Sequence, residues 1–363
     1  MLPDAIGRHR AGSWEGTPMT SVVAAGPPLE STVGSVGHAR ARIVDPSRAD
    51  RTLVVDCWYP AVNSARALTV YELLPGIGVT AAAHEEAPAT PGPHPLLVWS
   101  HGRSGTTTTY VMLCEGLAAR GYVVVAPEHP GDTLLDWLTA TAVDDATNEH
   151  QRVADAQLVL DRLLGDRDND LAVVPAVDAA KVAVAGHSYG AFTAFALAAA
   201  EADRDRICGA AGLESLTRTI PAQALRQITV PILMVTGAFD DVTPVATDAD
   251  PAWVTLADHV VHRVDLDHAG HQGCSDVGLY LELIDQVDDV PEVVRDFVQG
   301  MATQVTGRAD EPWRPTVTLH LCVLAAWLDL VTGRDSDQAC AELAHLGSVP
   351  GVLLRQTDAE SGC

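Results

Sequence analysis

Short runs of β-branched and apolar residues alternate along the chain with longer stretches of helical period, the pattern of a parallel sheet covered by helices. Strands are expected at Ala39–Asp45, Thr52–Trp58, Pro95–Ser100, Tyr122–Ala126, Lys181–Ala185, Ile207–Leu213, Pro231–Thr236 and His259–Leu266. The first two flank the polar turn DPSRADR and are expected to pair antiparallel at the sheet edge. The later ones are apolar almost throughout, as strands covered on both faces are. Helices are expected at Thr109–Arg120, where threonines stand ready to cap, at Ala154–Leu164, at the alanine-rich Tyr189–Glu201 and at Thr316–Val331.

Other stretches do not follow the alternation. Residues 1–37, rich in Gly, Pro, Ala and Ser, read as a loose leader; Val70–Pro93 reads as a loop over the sheet edge, and 336–363 as a C-terminal tail. Residues 274–315, from Cys274 to Pro315, have helical character broken by proline and read as a lid-like insertion after the last strand. What remains is one α/β domain over 38–335, with a mostly parallel eight-stranded sheet and helices on both faces.

Composition narrows the partners. With 48 acidic against 23 basic side chains the formal charge is −25, which argues against nucleic acid and anionic membrane surfaces. Lys181 is the only lysine, a bias that carries no functional meaning. An apolar fraction of 47% is ample for a large core. The most apolar stretch, Ala191–Ala200, is too short to span a bilayer. The opening MLPDAIGRHRAGSWEG has no apolar run behind a basic stretch, so no signal peptide is evident. Seven cysteines lie scattered between Cys57 and Cys363 without C-x-x-C spacing. A cytoplasmic protein with reduced thiols is the expectation. Oligomeric state is left open.

The chemistry concentrates at KVAVAGHSYG, residues 181–190. Gly186-His187-Ser188-Tyr189-Gly190 is G-x-S-x-G, directly after an expected strand and directly before an expected helix. A serine on so sharp a turn needs small neighbours at −2 and +2, and the helix that starts there favours an anionic intermediate. An activated serine also needs a base, and the base an orienting carboxylate. In such folds they follow in the order Ser, acid, His. PILMVTG runs into Asp240 and Asp241, and HVVHRVDLDHAGH ends at His271. Asp240 is preferred over Asp241 by its spacing from Gly237 and Pro244, with Glu214 as a further alternative. His271 is preferred over His268 because Gly270 lets the loop turn back to the serine. Two backbone amides should hold the oxyanion. One is that of Tyr189, after the nucleophile; the other is that of Arg103, in the loop SHGRSG after the third strand. His101 is expected to hold that loop, and Trp137 with Asp132–Thr147 to lie near the rim.

These pieces together resemble the α/β-hydrolases, near the platelet-activating-factor acetylhydrolase and dienelactone-hydrolase-like branch. The resemblance rests on VVDCWYPA, SHGRSG, GYVVVAPEHPGD, GHSYGA, PILMVTGAFDDVTP and the AGH at His271, spread over about residues 38–335. It implies a Ser-His-Asp esterase acting on short acyl esters or lactones as small-molecule substrates, without metal or other cofactor. Its nucleophile falls on Ser188, its acid on Asp240 and its base on His271. Dienelactone hydrolases proper use cysteine, so the serine favours the esterase side. Acyl transfer and thioester hydrolysis share this machinery. A non-catalytic binding protein is the alternative of a different class, and it would be expected to lose a member of the triad. His268, His271 and Cys274 stand at H-x2-H-x2-C, a zinc-like spacing that lacks a fourth ligand.

Overall fold

In the computed structural model the described residues are 21–24, 34–74, 77–165, 174–284, 286–287, 290, 292–307 and 311–357. Among them twelve strands form one sheet. In chain order they are β1 (Ser21–Ala24), β2 (Ser35–Asp45), β3 (Arg51–Ala61), β4 (Leu68–Leu74), β5 (Ile77–Glu85), β6 (His94–Ser100), β7 (Val123–Pro127), β8 (Val177–His187), β9 (Gly209–Leu213), β10 (Ile232–Phe239), β11 (Val261–Gly270) and β12 (Val352–Gln356). The spatial order is β1-β5-β2-β3-β7-β6-β8-β9-β10-β11-β12, with β4 paired to β5. From β7 to β11 every neighbouring pair is parallel. The β2–β3 hairpin is antiparallel, as the polar turn between its strands implies.

β6 lies between β7 and β8, so the chain leaves β6 first to one side and later to the other. Where the winding direction reverses in this way, the loops at the carboxyl ends of the central strands part and leave a crevice. The loops after β6 and β8 face each other there.

Helices cover both faces. The helices Val111–Ala119 and Trp313–Val331 pack on one side, in a core cluster with Trp99, Leu97 and Val124. Asp145–Leu164, Tyr189–Ala200 and Ala249–Thr255 contribute to the cluster on the other side, with Leu96, Val98 and Val184. Small residues allow close contact: a Cβ on Gly209 would stand 2.7 Å from the Trp327 ring, and one on Gly116 2.3 Å from Leu321. The Trp313–Val331 helix is long and apolar enough to cross a membrane by composition, yet Leu321, Leu324 and Trp327 are fully buried against the sheet. It is a core helix.

All eight expected strands are present, but the sheet has twelve, and the differences have physical causes. The segment read as a loop from Val70 folds as β4 and β5, an antiparallel pair. Its alanines hold a strand because the amides of Ala82 and Ala83 donate to the buried Glu115 carboxylate at 2.8 and 3.0 Å. Tyr71 Oη donates to the same group at 2.7 Å. These partners lie more than thirty residues away in sequence, beyond the reach of any local pattern. The segment read as a tail contains the helix Ser336–Leu346 and β12, which closes the far edge antiparallel to β11. Within the expected leader, β1 pairs with β5; the other residues before Gly34 lie outside the described set. Cys340 is disulfide-bonded, contrary to the expectation of reduced thiols, whereas Cys114, Cys208, Cys274 and Cys322 are free. The segment expected as a lid forms the short helices Val277–Leu283, Glu292–Gly300 and Thr303–Thr306. Val277, Leu279 and Val305 sit in the same core cluster as Trp99.

Two buried carboxylates, Asp56 and Asp155, are paired with cations. Asp56 meets Arg40 through two hydrogen bonds of 2.8 and 2.9 Å and His38 at 2.8 Å. Asp155 meets Arg48, Arg51 and His129. Glu128, directly after β7, is different. Burial, then the charge of Asp56, pushes its carboxyl up to about 7 against the pull of Arg40. The unfolded value lies at ~4.3, so between there and about 7 the folded state binds the extra proton and loses stability as pH rises. Glu128→Gln is therefore expected to raise the melting temperature by roughly 2–4 °C at pH 8 and to leave it nearly unchanged at about pH 3.5. Calorimetry at the two pH values checks this; an equal gain at both would show that charge is not the cause.

Candidate active site

The carboxyl ends of β6, β8, β10 and β11 carry the expected site residues. The sharpest turn is at Ser188, between β8 and the helix Tyr189–Ala200, where φ is 56° and ψ −114°. A non-glycine residue holds such a conformation only where the surroundings over-determine it. The Ser188 amide donates to Leu213 O at 2.9 Å, and its carbonyl accepts from Ala191 and Phe192 in the helix's first turn. The flanking glycines are required by space. A Cβ on Gly190 would stand 1.9 Å from Ser100 O, and one on Gly186 2.3 Å from the Gly190 carbonyl carbon. The expected roles of both glycines follow from these contacts.

The register of β10 on β11 brings the acid to the base. Phe239 and Gly270 are partners at the ends of these strands, so Asp240 and His271 follow side by side. Between the Gly237–Leu266 pair and the Phe239–Gly270 pair, β11 carries two more residues than β10. Bulges of this kind re-aim side chains beside functional sites. Gly270 was expected to permit a turn, but its reason is space: a Cβ there would meet Gln304 O at 2.3 Å.

His271 Nε2 stands 3.0 Å from Ser188 Oγ, and His271 Nδ1 2.9 Å from Asp240 Oδ2. All three residues are buried. The amides of Val242 and Thr243 donate to Asp240 Oδ1 at 2.9 and 2.7 Å. Thr243 Oγ1 lies 2.5 Å from Asp240 Oδ2 and 2.9 Å from Glu214 O. Burial pushes the Asp240 carboxyl up, but the hydrogen bond and charge of His271, then the bonds from Thr243, outweigh it and hold the group below the usual carboxylate range. Asp241 does not enter this arrangement. Glu214, the other alternative, pairs with His320 Nε2 at 2.8 Å behind the triad. His268 is exposed and pairs with Asp267 and Glu311.

The loop after β6 is held from beneath. Fully buried Arg152 donates to the carbonyls of His101 (2.8 Å) and Gly102 (3.1 Å) and to Asp132 at 2.9 Å. His101 Nε2 accepts from the His129 amide at 3.1 Å. Burial, then Arg152 and His129, pushes His101 well below the ordinary range, so it stays neutral and structural, as expected. On either side of Arg103, the Gly102 amide donates to Tyr110 Oη and the Ser104 amide to Asp132. The Tyr189 amide is in the first turn of its helix, where no intrahelical acceptor exists. The Arg103 guanidinium stacks 4.4 Å over the Tyr189 ring and 5.6 Å from Trp137, and pairs with Asp145 at 2.6 Å. It is thus tied to the second residue expected to supply an oxyanion amide.

Two sets of metal-type ligands were weighed. His268, His271 and Cys274 are not brought together; among the described residues the set that converges is His187, Glu214 and Cys274, with ligand atoms within 4.8 Å of one another. Both nitrogens of His187 are already engaged, by Tyr110 Oη and His271 O, and Glu214 is bonded to His320. This set therefore reads as a hydrogen-bonded core. Four contributors escaped sequence reasoning: His187, Tyr110, Arg152 and Thr243. Only Thr243 carried a local signal, its place three residues after Asp240 in a side-chain-capped turn.

Residues 83–214 match the sequence model of the Chlorophyllase family, a span that includes the β6 loop and the serine turn. Among solved structures, the chain is similar to a ferulic acid esterase from Streptomyces cinnamoneus, at 23% identity and a TM-score of 0.62. The match covers 84% of this chain and 92% of that one. Together with the strand order and the serine turn, this likeness shows that the chain has the α/β-hydrolase fold.

Proposed function

We propose that the protein is a serine hydrolase of carboxylic esters, with short acyl esters or lactones as small-molecule substrates. The observation that carries this reading is the continuous series Ser188 Oγ, His271 Nε2, His271 Nδ1, Asp240 Oδ2, with contacts of 3.0 and 2.9 Å. The Chlorophyllase match and the esterase neighbour support it. So does the resemblance to platelet-activating-factor acetylhydrolases and dienelactone hydrolases.

In this reading His271 takes the proton of Ser188 as Oγ attacks the ester carbonyl. The carbonyl oxygen becomes an oxyanion, held by the amides of Arg103 and Tyr189 at the positive end of the Tyr189–Ala200 helix. The imidazolium gives its proton to the leaving alcohol, and an acyl group remains on Ser188. Water then attacks the acyl carbon while losing a proton to His271, and the imidazolium returns that proton to Ser188 Oγ as the bond to the acyl group breaks and the acid leaves. Asp240 holds the Nδ1–H tautomer and stabilises the imidazolium. The rim formed by Arg103, Trp137 and Tyr189 borders the substrate.

Turnover of p-nitrophenyl esters from acetate to dodecanoate tests this. Ser188→Ala and His271→Ala are expected to lower kcat by about 10⁶, and Asp240→Asn by about 10⁴. Full activity in folded Ser188→Ala would contradict the reading. The Asp240 carboxyl, held below the usual carboxylate range, stays anionic through this cycle. Thr243→Val is expected to lower kcat about tenfold with KM unchanged, since it loosens the carboxylate that aims His271. Steady-state kinetics checks it, and an unchanged kcat would remove Thr243 from the account.

A further inference from the structure

The residue between Gly186 and Ser188 is variable in the G-x-S-x-G pattern, and here it is His187. Its side chain is buried. His187 Nε2 lies 2.6 Å from the carbonyl oxygen of His271, and His187 Nδ1 2.7 Å from Tyr110 Oη. Tyr110 Oη also accepts from the Gly102 amide at 3.1 Å. The proton positions in this series are determined by its ends. A carbonyl only accepts, so Nε2 of His187 carries the hydrogen; neutral imidazole then has a lone pair at Nδ1, and Tyr110 must donate to it. Gly102 N–H donates into the remaining lone pair of Tyr110. Every donor has one acceptor, and the direction runs from the β6 loop to the His271 backbone.

The neutral state of His187 is enforced by its surroundings. Burial, then the neighbouring imidazole of His271, pushes it well below the ordinary histidine range. Its ring lies 4.7 Å from that of His271, centroid to centroid. Tyr110 is fixed in turn by an edge-on contact with the Trp99 ring at 5.2 Å. Gly102 leaves room for the series: a Cβ there would stand 3.0 Å from His187 Nδ1 and 3.3 Å from Tyr110 Oη.

We propose that His187 and Tyr110 are positioning residues that hold the backbone of His271 and the β6 loop in one register. Base and Arg103 amide are then set by a single buried strut and cannot drift independently. The proposal rests on the ester-hydrolase reading above. Neither residue touches the reacting atoms, so their effect falls on the transition state, where small displacements of base and oxyanion donor are costly, and spares ground-state binding.

The test is steady-state ester hydrolysis by Tyr110→Phe, His187→Asn, His187→Gln and the double variant Tyr110→Phe/His187→Asn, with thermal melting of each as a control for folding. Tyr110→Phe is expected to lower kcat about tenfold, and His187→Asn up to ~10²-fold, with KM within about twofold of wild type. His187→Gln, whose amide N–H reaches toward the position of Nε2, is expected to restore most of kcat, which a merely space-filling role would not require. The double variant is expected to lose no more than His187→Asn alone, because the series is already broken. Wild-type kcat in folded Tyr110→Phe and His187→Asn would overturn the proposal while leaving the hydrolase reading intact. If Tyr110→Phe does not fold, equal kcat in His187→Gln and His187→Asn overturns it. A wild type that hydrolyses no ester strikes the hydrolase reading itself, and this inference with it.

Discussion

A side chain at position 190 would stand 1.9 Å from the carbonyl of Ser100, and most of the site follows from that contact. Strand β8 and the helix after it are pressed so closely onto the end of β6 that Gly186 and Gly190 have no space for a Cβ. The chain between them must turn within one residue, and Ser188 takes a left-handed φ to do so. Strain of this kind costs about 1–3 kcal/mol and persists only when neighbouring packing enforces it. The same compression places the β6 loop beside the first turn of the helix, so the Arg103 and Tyr189 amides come from adjacent backbones. In the proposed mechanism, nucleophile and oxyanion donors thus share one steric cause.

Electrostatics around the turn is arranged in two layers. On the crevice side, Asp240 is kept anionic by His271 and Thr243 despite its burial. On the core side, His101 and His187 are kept neutral by burial and by nearby cations and imidazoles. Arg152, fully buried, carries its charge only because Asp132 and two loop carbonyls surround it. Removing one partner from such a group is expensive, since an uncompensated buried charge is left behind. The loop that presents Arg103 is therefore rigid for the same reason that the arginine is tolerated.

How much of this was legible in the sequence depends on the range of the interaction. Ser188 and its glycines are local, and their strand–turn–helix context is written in ten consecutive residues. Asp240 and His271 were legible because chain order and strand ends constrain them together. The strands around Val70–Pro93 were not, because Ala82 and Ala83 are held by Glu115 from a distant helix. The edge strand β12 is five residues long, with Val352 buried and Leu353 exposed, too short a period to distinguish from a tail. Gly270 was expected to permit a turn, and the close approach of Gln304 that excludes a side chain there is a tertiary fact. His187 occupies a position the motif leaves free, and only the fold shows that its two nitrogens bridge 77 residues to Tyr110 and 84 to His271.

The central claim is that Ser188 is a nucleophile activated by His271. Peptide mass spectrometry after treatment with a fluorophosphonate measures this directly, because the reagent bonds to an activated serine without requiring knowledge of the substrate. The account predicts a single phosphonyl adduct on the peptide containing Ser188, absent in Ser188→Ala and formed far more slowly in His271→Ala. An unmodified Ser188 in folded wild type, or an adduct that forms at the same rate without His271, would contradict it.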